Sequence, residues 1–348
     1  MSIDLIGWDI GGAHVKAVAL QGDHVHQVMQ RACPLWQGLD QLDQALGEMI
    51  QAIKPAKHCR HVFTMSGEMV DLFPDRNTGV TSILRTVAAH CDPDYVCVFA
   101  GMQGFLPLPV VQTADLSVIA SANWLATARF AAALVSEALL IDVGSTSSDL
   151  FLIGNRQLWV RGYTDHERLR YDELVYTGVV RTSLMSFARR VIFEGEWVNV
   201  MAEHFASTAD VYRLTGELQE HTDQVPAADA GEKTREGSIR RLARLVGQDV
   251  AMSAPSSWES LAYHFREKQL QRLTDAAMRQ LSRGLTDADM PIIGAGAGRF
   301  LVKELAGRLR RPYKDFDELV AMDRRDGEFQ IADCAPALAV AFLARQVV

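Results

Sequence analysis

The alternation of apolar and polar positions predicts that the chain opens with strands, continues with helices and strands in turn, and then repeats this order. Apolar runs rich in β-branched residues and bounded by Gly, Asn or Asp predict strands, whereas apolar residues three and four positions apart predict helices. In the first part of the chain the predicted strands cover 5–9, 15–20, 24–30, 60–65 and 95–99, and the predicted helices cover 39–53, 80–90 and 116–134.

The second part of the chain restarts with strands and then turns helical. The predicted elements are strands over 138–142, 148–153, 157–162 and 291–293, a mainly helical stretch over 201–282 with a polar loop at 223–237, and helices over 300–309 and 335–346. We therefore predict a duplicated α/β fold of two lobes, 1–134 and 135–348, with a helical insertion at about 200–285 in the second.

Two short segments 133 positions apart share one design, in which an apolar strand ends at an Asp and a turn of small residues follows. The first segment is centred on Asp9 and the second on Asp142. Glycine in such a turn permits close backbone approach, so that successive N–H groups can face an anion, and the Asp can hold a hydrated Mg²⁺. Both turns are therefore candidate phosphate and magnesium sites.

A third turn rich in glycine covers Gly294–Gly298 and precedes a predicted helix that begins at Phe300. Its glycines alternate, so the dinucleotide pattern G-x-G-x-x-G is not met, whereas a helix N-terminus still favours an anion. The candidate phosphate-binding residues of the three turns are Gly11, Gly12, His14, Gly144, Ser145, Thr146, Ser147, Gly294, Gly296 and Gly298.

Three further side chains carry candidate chemistry, each with a plainer alternative. Lys16 lies on the return strand after Asp9, where its ammonium could reach a phosphate oxygen or simply be exposed. His14 could hydrogen-bond a diphosphate or only cap the hairpin. Glu68 follows the strand over 60–65 and is a candidate general base or second metal contact; it could equally be a charge at a helix N-terminus capped by Ser66.

Two clusters of side chains could suggest a metal site or a phosphate site, but for both we favour a purely structural role. His58, Cys59 and His61 alternate along a strand, so their side chains cannot converge on a metal. Four arginines recur at helical spacing, and this pattern favours a basic helix face exposed to solvent. The alternative is a clamp that binds diphosphate. The four arginines are Arg235, Arg240, Arg241 and Arg244.

Composition narrows the class of protein. The 348 residues are 48% hydrophobic and 22% charged, with a net charge of −8, which argues against a general binder of nucleic acid or of anionic membranes. The start of the chain lacks a basic region followed by an apolar one, and five cysteines without a C-x-x-C pair favour reduced thiols, so we expect a cytoplasmic protein without disulfide or zinc. A homo-oligomer is compatible with this composition.

The three turns, centred on Gly11, Gly144 and Gly296, resemble those of the superfamily of actin, sugar kinases and Hsp70-type chaperones. This resemblance implies a duplicated actin-like (ribonuclease H-like) ATPase fold. Longer runs resemble the hydantoinase/oxoprolinase-related proteins linked to tetrahydromethanopterin one-carbon metabolism and methanofuran biosynthesis. These runs are 64–71, 120–124, 173–182 and 202–216.

The closer resemblance implies a transferase that joins an aminomethylfuran diphosphate to the phenol of a γ-glutamyltyramine-like acceptor, forming an aryl ether and releasing diphosphate. On this hypothesis Asp9 and Asp142 hold Mg²⁺, the glycine turns bind the diphosphate, Lys16 neutralises it, and Glu68 takes the phenol proton. The same turns would serve an ATP-dependent kinase or a hydantoinase/oxoprolinase-type enzyme, or a non-catalytic nucleotide sensor. The use of ATP is therefore left open.

Overall fold

The computed structural model describes residues 2–285, 287–320 and 328–347, and the chain forms two compact units. Unit 1 comprises 1–136, 153–158 and 316–348, and unit 2 comprises 137–152 and 159–315. Each unit contains a mixed sheet.

The strands and helices are numbered in chain order. The strands are β1 (Leu5–Ile10), β2 (His14–Gln21), β3 (His24–Ala32), β4 (Arg60–Met65), β5 (Val96–Phe99), β6 (Phe105–Pro107), β7 (Ala138–Val143), β8 (Ser148–Gly154), β9 (Gln157–Leu158), β10 (Leu174–Val175), β11 (Arg190–Phe193), β12 (Glu196–Asn199), β13 (Ile292–Ala295) and β14 (Tyr313–Asp315). The helices are α1 (Leu39–Ile53), α2 (Arg76–His90), α3 (Leu116–Ile119), α4 (Asn123–Leu134), α5 (Asp165–Tyr171), α6 (Thr208–Thr215), α7 (Arg235–Leu245), α8 (Pro255–Leu281), α9 (Arg299–Arg308) and α10 (Ala335–Arg345).

The sheets of the two units have matching orders. In unit 1 the order is β3-β2-β1-β4-β5-β6, with β1, β4 and β5 parallel and the β1–β2 and β2–β3 pairs antiparallel. In unit 2 the order is β10-β8-β7-β13-β14, with β7, β13 and β14 parallel and β8–β10 antiparallel. The predicted duplication of a strand-rich half is therefore present in the strand order itself.

Most predicted elements form, and the differences have local causes. The helix predicted over 116–134 is two helices, because Ser121 takes a left-handed backbone conformation (φ 50°) between α3 and α4. Helix α2 begins earlier than predicted, since the side chain of Asp75 accepts the N–H of Thr78. The strand predicted over 157–162 contains only the two residues of β9.

The division of the chain differs from the predicted lobes at residues 316–348, which belong to unit 1 rather than to the second lobe. Helix α10 packs so closely on β1 that a Cβ on Gly7 would lie 2.0 Å from the carbonyl oxygen of Ala337. Only glycine permits this approach of helix and strand backbones. The helices α6 to α8 form the predicted insertion within unit 2.

The five cysteines are free thiols, and four of them are buried. Burial raises the pKa of Cys33, Cys59 and Cys91 to about 12, so these thiols stay protonated. Among the described residues, no helix is both long and apolar enough to cross a membrane.

Candidate functional site

Asp9 lies near the carboxyl end of β1, on one face of the sheet with its two register partners. It pairs with Lys16 across the antiparallel hairpin and with Thr64 on the parallel neighbour β4. Asp9 is 6% exposed and Thr64 is fully buried. Because paired residues of a sheet share a face, the carboxylate, the ammonium stem and the threonine hydroxyl form one row.

One polar side chain from another element reaches the same carboxylate and also contacts Ser66. The amide nitrogen of Asn123, the first residue of α4, lies 3.5 Å from both Asp9 Oδ1 and Ser66 Oγ. In the part of the chain that the structure describes, Thr64 Oγ1 is buried without a hydrogen-bond partner. Asp9 therefore lies among side-chain oxygens that could ligate a metal, at the edge of the sheet where β1 and β4 end.

Glu68 follows β4 in a single turn of 3₁₀ helix and is only 1% exposed. Its Oε1 accepts the hydroxyl hydrogen of Ser121 at 2.7 Å. Glu68 does lie in the first turn of this short helix, as the alternative predicts, but the side chain of Ser66 makes no capping hydrogen bond. A Cβ on Gly67 would lie 3.1 Å from the carbonyl oxygen of Gly11, so this loop contacts the first turn.

Lys16 and His14 lie beside the first turn, and the structure gives Lys16 a contact that the sequence does not predict. Its Nζ donates to the main-chain oxygen of Asp333 at 2.7 Å, immediately before α10. His14 is 5% exposed and begins β2. Lys16 thus holds the start of α10 as well as lying opposite Asp9.

The first turn (residues 9–14) and the second turn (residues 142–147) have the same hydrogen bond at the same offset. Gly11 N donates to His14 O at 2.9 Å, and Gly144 N donates to Ser147 O at 2.9 Å. The 133-residue repeat is therefore a repeat of backbone geometry. Of the candidates in the first turn, Gly12 also accepts the N–H of Leu35 at 3.1 Å.

In the second turn, the loop over 178–182 holds three successive carbonyl groups. The bonds run from Val179 N to Gly144 O (3.0 Å), from Val180 N and Arg181 N to Ser145 O (3.0 and 2.9 Å), and from Thr182 Oγ1 to Thr146 O (3.4 Å). In a trans peptide unit the N–H points opposite to the C=O. The N–H groups of Ser145, Thr146 and Ser147, which share peptide units with these carbonyls, therefore point away from the 178–182 loop.

Gly178 makes this contact possible. A Cβ at this position would lie 2.4 Å from both the carbonyl carbon of Ser145 and the nitrogen of Thr146. Any other residue would push the loop away from the second turn.

The third turn (residues 294–298) lies against the second within unit 2. Ala295 pairs with Asp142, and Gly296 has a φ of 79°. A Cβ on Gly296 would lie 2.4 Å from Asp142 Oδ1 and 2.3 Å from Val143 O, and Gly298 N donates to that same oxygen at 2.8 Å.

The ring of Tyr313 and the side chain of Arg299 support the third turn. A Cβ on Gly294 would lie 2.8 Å from the ring. Arg299 Nη1 donates to Gly296 O at 2.9 Å, and its Nε lies 3.2 Å from Asp315. These contacts fix the turn just before α9.

The arginines of α7 do not share one environment. Arg241 is fully buried and bonds Asp210 at 2.7–2.8 Å and Asp229 at 3.0 Å. Arg235 is exposed and pairs with Glu259. A guanidinium already neutralised by two carboxylates has no excess charge for a substrate, so the clamp alternative is wrong for Arg241.

His61 is a core residue. Its Nδ1 accepts the indole N–H of Trp8 at 3.1 Å, and Cys91 Sγ lies 3.5 Å away. Burial lowers its pKa to about 4, so the ring stays neutral.

Several residues that position the site are not predicted by the sequence motifs. They are Asn123, Ser121, Gly178, Thr182 and Arg299. The signal for four of them was available, since the runs 120–124 and 173–182 carry the family resemblance. Arg299 had no signal beyond its place after the glycine-rich turn.

The donors around Asp9 in unit 1, and separately those around Asp142 in unit 2, fit a hydrated Mg²⁺. They are carboxylate, hydroxyl and carbonyl oxygens, the ligands that this cation prefers. Within 2–285, 287–320 and 328–347, no three His, Cys, Asp or Glu side chains converge as a metal site. A cation at either carboxylate would thus keep most of its ligands as water and substrate oxygens, as Mg²⁺ commonly does.

Comparison with known proteins places the chain in a family. The hydantoinase/oxoprolinase family matches residues 61–316. The chain is similar to the (4-{4-[2-(γ-L-glutamylamino)ethyl]phenoxymethyl}furan-2-yl)methanamine synthase of Methanocaldococcus jannaschii, with 31% identity over 72% of this chain and 74% of that protein. It is also similar to the synthase of the same name from Methanococcus vannielii, with 22% identity over 59% of this chain and 89% of that protein.

Among solved structures, the nucleotide-free structure of acetone carboxylase superposes with a TM-score of 0.53 at 10% identity, covering 86% of this chain and 66% of that one. This likeness concerns the fold alone. The predicted class, a duplicated actin-like α/β fold, is confirmed. By its matched family and by its identity to the first synthase, the chain belongs to the hydantoinase/oxoprolinase family.

Proposed function

We propose that this enzyme is a transferase of methanofuran-type cofactor biosynthesis, which condenses an aminomethylfuran diphosphate with a γ-glutamyltyramine-like phenol. The observation that carries the proposal is the 31% identity, over 72% of the chain, to a synthase whose product by name is a phenoxymethylfuran. Such a product contains an aryl ether joined to a furan through one methylene carbon. The reaction that we assign to this chain forms that ether bond.

The bond changes balance without a further reactant. The phenol oxygen attacks the methylene carbon of the furan, the carbon–oxygen bond to diphosphate breaks, and its electron pair leaves with the diphosphate. The phenol proton goes to a base of the protein. Departure of a polyanion is the step that needs electrostatic support, and preorganised N–H groups supply it at no cost of reorganisation.

In unit 1 we assign Glu68 as the base that takes the phenol proton. Its carboxylate is 1% exposed and keeps one oxygen on the hydroxyl of Ser121, so that its orientation is fixed. Asp9, whose Oδ1 lies 3.5 Å from the Asn123 amide nitrogen, is assigned to Mg²⁺. We assign Lys16, which lies opposite Asp9, to the charge of the diphosphate.

In unit 2 the second turn is assigned to phosphate oxygens, because its three N–H groups point away from the 178–182 loop and together would form a nest for an anion. Asp142 is assigned to Mg²⁺ and the third turn to phosphate. When bound, the cation would neutralise charge on the departing diphosphate.

The test is an incubation of the purified protein with Mg²⁺, the aminomethylfuran diphosphate and γ-glutamyltyramine, with and without ATP, followed by mass spectrometry of ether, phosphate and diphosphate. Ether and diphosphate in equal amounts, without ATP, are the expected result. ATP consumption with a phosphorylated or ring-opened product would instead indicate a kinase or a hydantoinase/oxoprolinase-type enzyme. Tight nucleotide binding without any turnover would indicate a sensor.

A further inference from the structure

Gln269, in the middle of α8, is a buried amide with contacts to the segment that holds the second turn. It is 1% exposed, and its Nε2 donates to Thr177 Oγ1 and to Gly178 O, both at 2.9 Å. Its Oε1 accepts the phenolic hydrogen of Tyr212, from α6, at 2.6 Å. The amide thus links α6 and α8 to Thr177 and to Gly178, the first residue of the 178–182 loop.

The orientation of this amide is fixed by its partners. Gly178 O can only accept, so it requires the NH₂ group of Gln269, and the remaining carbonyl group then faces Tyr212. Burial raises the pKa of the Tyr212 phenol well above its usual value, so the phenol keeps the proton that it donates. Thr208, at the start of α6, donates a second hydrogen bond to Gly178 O at 2.9 Å.

We infer that Gln269 is a positioning residue for the diphosphate: through the 178–182 loop it holds the N–H groups of the second turn in their anion-binding arrangement. The chain of contacts is continuous within unit 2. Gln269 fixes Gly178 O, the adjacent N–H of Val179 fixes Gly144 O, and the N–H groups of Ser145 to Ser147 face the opposite direction as a result. This inference rests on the proposed function, because it assumes that the second turn binds the diphosphate.

The helix offers a matched control for the substitution. Gln280, also on α8, is 2% exposed and donates its Nε2 to Tyr171 O at 2.7 Å. Gln269→Met and Gln280→Met each remove a buried amide from the same helix and replace it with a residue of similar length and good helix propensity. Only the first variant loses a contact with the loop behind the second turn.

The measurement is the binding of inorganic diphosphate with Mg²⁺ by calorimetry, alongside steady-state kinetics. We expect Gln269→Met to raise the Kd for diphosphate about tenfold or more, the size of one well-oriented hydrogen-bond group. The KM for the diphosphate donor should rise while the KM for the phenol stays within about twofold. Gln280→Met should remain within about twofold of the wild type in both constants.

Tyr212→Phe provides a milder variant, since it removes only the phenolic oxygen and leaves the ring packed on Phe300. It should raise the Kd less than Gln269→Met does. The double variant should bind no more weakly than Gln269→Met, because both changes act through the same amide.

The outcomes separate this inference from the proposed reaction. Equal diphosphate affinity in Gln269→Met and Gln280→Met, in a wild type that forms the ether, overturns the inference alone. A tenfold deficit in Gln269→Met, in a wild type that forms no ether, overturns the reaction alone. A wild type that does not bind diphosphate overturns both the assignment of the second turn to the diphosphate and the positioning role of Gln269.

Discussion

The hydroxyl of Ser121 donates to Oε1 of Glu68 at 2.7 Å, and this contact depends on a break in a helix. Ser121 has a φ of 50°, where α3 has ended and α4 has not begun. Two residues later, Asn123 starts α4 beside Asp9. One short interruption therefore supplies a neighbour both to the assigned base and to the assigned metal ligand.

Glu68→Gln should reduce kcat at least about a hundredfold, because the amide keeps the shape and the Ser121 contact but cannot take a proton. Ser121→Gly, which suits a positive φ, should give a smaller loss. Initial rates of ether formation measure both. Asp71→Asn, an exposed carboxylate in the same segment, is the control. Wild-type rates in Glu68→Gln would remove its assignment as the base.

Asp9→Asn should abolish turnover and weaken Mg²⁺ binding while leaving the fold intact, since an amide is nearly isosteric with the carboxylate but carries no charge. Turnover and magnesium titration are the measurements, with circular dichroism to verify the fold. Full activity in this variant would contradict the assignment of Asp9. Asp23→Asn, at a largely exposed side chain, is the control.

Gly296→Ala should impair both diphosphate binding and stability. Its Cβ would lie 2.3–2.4 Å from Val143 O and Asp142 Oδ1, and its φ of 79° disfavours any side chain. Gly307→Ala, where the added Cβ would meet nothing within 4 Å in α9, should instead stabilise by roughly 0.5–1 kcal/mol. Thermal unfolding compares the two. A Gly296→Ala variant as stable and active as the wild type would show that the third turn can move aside.

Lys16→Met separates two roles of one ammonium group. If Lys16 neutralises the diphosphate, the KM for the donor should rise about tenfold, as expected from one charge-assisted hydrogen bond. The loss of its contact with Asp333 O should also lower the free energy of unfolding by about 1 kcal/mol. A lower melting temperature with an unchanged KM would assign Lys16 to α10 alone.

Stability should fall as the pH drops from about 6.5 towards 4, because burial lowers the pKa of His61 to about 4 in the folded state, whereas the unfolded chain has the ordinary histidine pKa of about 6.5. The unfolded state then binds a proton that the folded state excludes, which costs about 2 kcal/mol at pH 5 relative to pH 7. His61→Asn keeps an acceptor for Trp8 without titrating in this range. Urea unfolding at both pH values should show a smaller loss in the variant.

Periodicity along the sequence predicted the order of strands and the two turns that follow Asp9 and Asp142, because these features depend on neighbours in the chain. It missed the break at Ser121, since 120–122 contains neither Gly nor Pro. It could not show that Lys16 would contact Asp333, 317 positions away. The direction of the N–H groups in the second turn was equally unpredictable, because it is set by contacts with a loop more than 30 residues downstream.

The close packing of α10 on β1 also orders events during synthesis. The backbone of Ala337 packs against Gly7, so translation must add 330 residues (337 − 7) after Gly7 before this cover of β1 exists. Unit 2 is almost continuous in sequence and is complete by residue 315. At 5–20 residues per second, as a rough rate of translation, β1 therefore waits on the order of 15–70 seconds for α10.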